Sequence, residues 1–86
     1  MERIECTVKG YVLTFDQARE LGRSMAEEGN EWATLVSWCD REKGVHSPCC
    51  LKCEFDNEPG WEVYGRNHEG RLRISIDNDR FVLIYS

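Results

Sequence analysis

The side chains that carry the most chemistry crowd one stretch of the chain: Cys39, His46, Cys49, Cys50 and Cys53. Cys50-Leu51-Lys52-Cys53 is a C-x-x-C pair, and two further soft or borderline ligands stand upstream. A closed zinc site takes four nitrogen or sulfur ligands in a tetrahedron. Cys39, His46, Cys50 and Cys53 could supply them, with Cys49 as an alternate. Zinc would cross-link the least regular part of the chain, and its binding energy would become folding energy. Plainer readings compete. There is no second C-x-x-C at knuckle spacing, and Cys39 ends an apolar run, where a free cysteine often packs into a core. A redox role for Cys50 and Cys53 needs a helix N-terminus to lower a thiol pKa, and no helix is expected after Cys50. Reduced thiols are the leading reading, zinc the alternative, and no cofactor is certain.

Other candidates are weaker. His68 sits in a polar Asn67-to-Gly70 turn, where exposure explains it. Asp77-Asn78-Asp79 resembles a fragment of a calcium loop, but the glycine and distal glutamate of that motif are missing. Turn chemistry accounts for it better. No glycine-rich phosphate loop is present, and no serine has histidine and aspartate partners at a catalytic-triad spacing in sequence. A small enzyme would need a pocket of convergent polar groups that these residues do not advertise.

The elements that must position these groups are easier to read. Asp77-Asn78-Asp79-Arg80 suits a tight hairpin, since Asn and Asp tolerate positive φ. With Asn78 and Asp79 as the loop, Ile76 faces Phe81, Ile74 faces Leu83 and Leu72 faces Tyr85 on one apolar face. Ser75 with Val82 and Arg73 with Ile84 fall on the other. Phe81 to Tyr85 is apolar on both faces, as in a central or covered strand. A second turn at Asn67 to Gly70 predicts a third strand, with Gly65 opposite Leu72, Val63 opposite Ile74 and Trp61 opposite Ile76.

Upstream, Ile4, Cys6 and Val8 alternate with polar residues, which predicts a half-buried first strand. Thr14 and Gln17 fit a capping box that opens a helix from about Phe15 to Glu28, closed by Gly29. Leu13 before the cap is placed to staple onto Ala18. Phe15, Ala18, Leu21, Gly22 and Met25 form its apolar face, and Gly22 there implies close approach to a sheet. Trp32 to Cys39 predicts a second strand, with Trp32, Trp38 and Trp61 read as core and an edge position as the alternative for Trp32. Asp40 to Pro59 is irregular, with a short optional strand near Leu51 to Phe55. The expected fold is therefore α+β: one amphipathic helix on a largely antiparallel sheet of four or five strands, in the order β-α-β-(β)-β-β-β. Residues 1–86 form a single domain in this reading.

Eighty-six residues allow one core, which buries roughly 60–65% of the unfolded surface and leaves little stability in reserve. The net charge of −5, with no basic run, argues against a nucleic-acid partner. No run is long enough to span a bilayer, so no membrane role is expected. An odd count of five cysteines without a secretion signal suggests thiols in a reducing cytoplasm.

The runs Trp32 to Trp38, Pro59 to Tyr64, Leu72 to Ile76 and Phe81 to Tyr85 resemble a small family of uncharacterised prokaryotic proteins. That resemblance covers most of the chain. It implies a single-domain α+β fold and a cytoplasmic setting, and it transfers no site residue.

One helix covers only one face of such a sheet. The other face, carrying Glu62, Tyr64, Arg73, Val82 and Ile84, would then suit a self-complementary interface. The expected function is a non-enzymatic association module, a homodimer or accessory subunit. The alternative is a zinc or thiol module at Cys39 to Cys53.

Overall fold

The C-terminal hairpin is the centre of the molecule. In the computed structural model, which describes residues 1–47 and 60–86, β4 (Leu72–Ile76) and β5 (Phe81–Tyr85) pair antiparallel. Ile76 meets Phe81, Ile74 meets Leu83, Leu72 meets Tyr85, Ser75 meets Val82 and Arg73 meets Ile84, as the turn chemistry predicts. Asp77, Asn78 and Asp79 all take positive φ. The Asp77 carboxylate accepts from the Val8 amide at 2.8 Å, which ties the turn to the N-terminal segment.

The remaining strands are β1 (Glu2–Cys6), β2 (Leu35–Asp40) and β3 (Val45–Ser47). They complete a five-stranded sheet in the order β1-β4-β5-β2-β3. β2 pairs antiparallel with β5 and with β3, while β1 lies parallel to β4. The sheet is thus mixed, mostly antiparallel, with β5 as its middle strand. Trp32 to Thr34 lie outside β2, and Trp32 is 80% exposed rather than core. The optional strand near Leu51 to Phe55 lies outside the described residues.

Helix α1 (Phe15–Gly29) starts as its signals predict, while Gly29 is its last residue and Asn30, in extended conformation, caps it. The Thr14 hydroxyl accepts from the Gln17 amide, and the Gln17 side chain accepts from the Thr14 amide. Its apolar stripe packs on Leu72, Ile74, Ile76, Phe81, Leu83 and Tyr85, and Leu13 joins the same cluster as Ala18. A Cβ at Gly22 would stand 2.7 Å from Leu83 Cδ1, so glycine sets the closeness of this contact. No cationic residue stands in the last turn of α1. Arg71 supplies one from the start of the hairpin, its guanidinium donating to the Ala26 carbonyl at 3.3 Å.

The expectation of a strand at Trp61 to Gly65 is corrected. Gly60–Asn67 is a second helix, α2, on the opposite face of the sheet from α1. Its alternation of buried Trp61, Val63 and Gly65 with half-buried Glu62 and Tyr64 mimics a strand. Trp61 and Gly65, four residues apart, share a helix face, and Val63, buried between them, completes the apparent alternation. The supposed hairpin turn is the helix terminus. Glu69 takes the left-handed conformation at φ 67°, and the Gly70 amide reaches back to the Gly65 carbonyl at 2.9 Å. This is the long hydrogen bond of a Schellman end. Gly70 is needed for proximity, since a Cβ there would stand 2.8 Å from Ile84 Cγ2. With α2 elsewhere, the place beside β4 is taken by β1.

Candidate functional site

Cys39 and His46 are brought together. They stand directly opposite across β2 and β3, so their side chains leave the same face of the sheet. Cys39 is buried with Trp61, Val82 and Ile84 beneath α2, and His46 is half-buried. Loss of solvent pushes the Cys39 thiol above its usual range, which opposes a reactive thiolate. Cys49, Cys50 and Cys53, the other members of the predicted cluster, lie outside the described residues. Among the described residues, no three of His, Cys, Asp and Glu gather as metal ligands would.

The face carrying Glu62, Tyr64, Arg73, Val82 and Ile84 is not the open surface expected. Val82 and Ile84 are 0% exposed, because α2 lies over them. Arg73 is buried too, and its guanidinium donates to Glu62 on α2 at 2.6 Å. Tyr64 stacks on His68 with ring centroids 3.8 Å apart, and His68 Nδ1 lies 2.8 Å from the Tyr64 carbonyl oxygen. These residues hold the chain's own second helix.

The Glu62–Arg73 pair extends into a polar network. Asp79 Oδ1 accepts from the Ser75 hydroxyl and lies 3.6 Å from Arg73 Nη1. The Ser75 hydrogen bond, helped by the Arg73 charge, holds the Asp79 carboxyl below its usual range. Asp77 and Asp79 are thus committed to protein partners, and turn chemistry accounts for the acidic triplet. A shallow depression of about 100 Å³ lies beside them, lined by Glu5, Cys6, Thr7, Ser75, Asn78 and Asp79.

A larger groove separates the start of α1 from the β2–β3 turn. It comprises two adjoining depressions of about 310 and 240 Å³ that share Thr14, Phe15, Asp40 and Lys43. Phe15 packs on Trp38 at 4.5 Å between ring centroids, and Val12 and Val45 are exposed at its margins. The Asp40 carboxylate accepts from the Glu42 and Lys43 amides and shapes the turn. Arg80 closes one end with an ion pair to Glu42. This groove joins residues far apart in sequence, and no spacing signal marks it.

The last feature is an edge. β1 is one of the two outer strands of the sheet, and among the described residues its far flank has no strand beside it. Arg3 and Glu5 are exposed there, while Ile4, Cys6 and Val8 are half-buried against the α1-side core. The alternation in sequence gives the strand, but not its place at the rim.

No curated protein matches this chain. Among solved structures, the crystal structure of the novel protein AF1514 from Archeoglobus fulgidus DSM 4304 is similar in fold, with a TM-score of 0.82. The likeness covers 100% of this chain and 93% of that one, at 22% identity. The model of the family described as "Domain of unknown function (DUF5619)" matches residues 1–85, and the chain belongs to that family.

Proposed function

We propose that this protein is a non-enzymatic association module that acts as a homodimer. The reading is carried by the outer flank of β1. A five-residue strand without proline forms one rim of the sheet, and its half-buried Ile4 and Cys6 would lose further water against a neighbour. Unpaired strand edges are templates for adding another strand. Both faces of the central hairpin are occupied by the chain's own helices, which turns attention from sheet faces to sheet edges. Light scattering coupled to gel filtration tests this. A mass of twice the 10.0 kDa chain supports it, and a monomer at every concentration up to millimolar overturns it. The same reading sets the protein in the reducing cytoplasm, on the support of its odd cysteine count. No described helix is long and apolar enough to cross a membrane.

A second reading, the zinc or thiol module, is favoured by the opposition of Cys39 and His46 across β2 and β3. Two ligands fixed on adjacent strands are half of a closed zinc site. Elemental analysis of protein purified without chelator tests it: stoichiometric zinc supports the reading, and metal-free protein overturns it.

A further inference from the structure

We infer that two copies of this chain join through antiparallel pairing of their β1 strands, centred on Ile4, with Arg3 of each copy opposite the partner's Glu5. This rests on the homodimer reading above and gives it a register.

The Glu2 amide donates to the Arg71 carbonyl at 2.9 Å, and the Cys6 carbonyl accepts from the Asp77 amide at 2.8 Å. Main-chain groups alternate sides along a strand, so Glu2, Ile4 and Cys6 turn theirs toward β4. Arg3 and Glu5 therefore turn their N–H and C=O groups to the outer flank. A two-fold axis at Ile4 sets Arg3 against the partner's Glu5 as a hydrogen-bonded pair, and Glu5 against the partner's Arg3 as a second. Ile4 meets its own copy between them as the close, non-hydrogen-bonded pair. Every outward polar group of the strand centre is thereby matched.

The side chains select the same register. Arg3 and Glu5 leave the face opposite α1, beside Arg73 and Ser75. Centred on Ile4, two pairs of opposite charge form directly across the junction. Centred on Arg3, arginine would meet arginine, and centred on Glu5, glutamate would meet glutamate. On the other face, Ile4 and its copy extend the apolar surface that already includes Ile74. The contact is isologous and closes on itself, so it yields a dimer rather than a filament.

Charge reversal tests the register. Arg3→Glu alone sets glutamate against glutamate twice, and Glu5→Arg alone sets arginine against arginine twice. Each variant weakens the dimer by about tenfold or more. An equimolar mixture of the two variants is complementary and recovers dimer mass, as does the double variant R3E/E5R. Because both residues are exposed, each variant keeps the circular dichroism spectrum of the parent. A wild-type dimer whose mass and dissociation constant are unchanged by either variant overturns the register and leaves the homodimer standing. So does a loss that neither the mixture nor the double variant repairs. A wild-type monomer overturns both readings.

Discussion

Gly65 offers a sharp test of the second helix. It lies on α2 over the sheet, and a Cβ added there would stand 2.8 and 3.0 Å from Ile84 Cδ1 and Cγ2, with the Ser37 hydroxyl closer still. Ile84 and Ser37 are both 0% exposed, so neither has room to retreat. Overpacking of this kind costs about 1–3 kcal/mol. Alanine for glycine inside a helix recovers up to about 1 kcal/mol of propensity. The steric cost wins, and Gly65→Ala should lose about 1–2 kcal/mol. For a domain of this size that is a fall in melting temperature of roughly 5–15 °C. Asn67→Ala, at the exposed end of the same helix, makes a smaller propensity change of the same sign without the clash and should lose nothing. Thermal unfolding followed by circular dichroism reads both. A Gly65→Ala protein as stable as the parent would refute the docking of α2 on Ile84.

Three further outcomes follow from single side chains. Burial pushes the Tyr85 phenol up to about 12, and its hydroxyl donates to the Arg19 carbonyl at 3.2 Å. The raised value means this contribution to stability is present below the ordinary value of 10.0 and is lost as pH rises toward 12. Phenolate absorbance should therefore show a late component, absent in Tyr85→Phe, which also loses about 1 kcal/mol at neutral pH. Asp79 behaves oppositely: its lowered carboxyl stabilises the fold above the ordinary value of 3.8, and that contribution is lost as pH falls through the native value. Asp79→Asn should be less stable than the parent at neutral pH, and the gap should narrow in acid denaturation below that value. Cys39, buried with a raised thiol pKa, should resist alkylation in the native protein and react fully in denaturant, as peptide mass mapping would show.

The hairpin was legible to the residue pair, because Asp77 to Asp79 fix the turn and period-two alternation fixes the faces. Helix α1 was legible from local chemistry: Thr14, Gln17 and the apolar spacing of Phe15, Ala18, Leu21, Gly22 and Met25. The segment Gly60 to Asn67 was not. Its buried Trp61, Val63 and Gly65 alternate as in a strand, and the Asn67-to-Gly70 stretch that ends a helix has the composition of a turn between strands. Reading Trp61 to Gly65 as a strand leaves Val82 and Ile84 uncovered and points to an interface, in the place where α2 lies. The parallel pairing of β1 with β4 depends on contacts between residues far apart in sequence, and no local signal encodes it. Of the cysteine cluster, only the opposition of Cys39 and His46 falls on described strands, and the C-x-x-C pair lies outside them.

The most direct test of the association account is the solution mass of four samples at one concentration: the parent, Arg3→Glu, Glu5→Arg, and an equal mixture of the two variants. The account predicts twice the 10.0 kDa chain mass for the parent and the mixture, and a shift toward the monomer for each variant alone. A parent that remains monomeric contradicts the account, because the β1 rim then recruits no second copy.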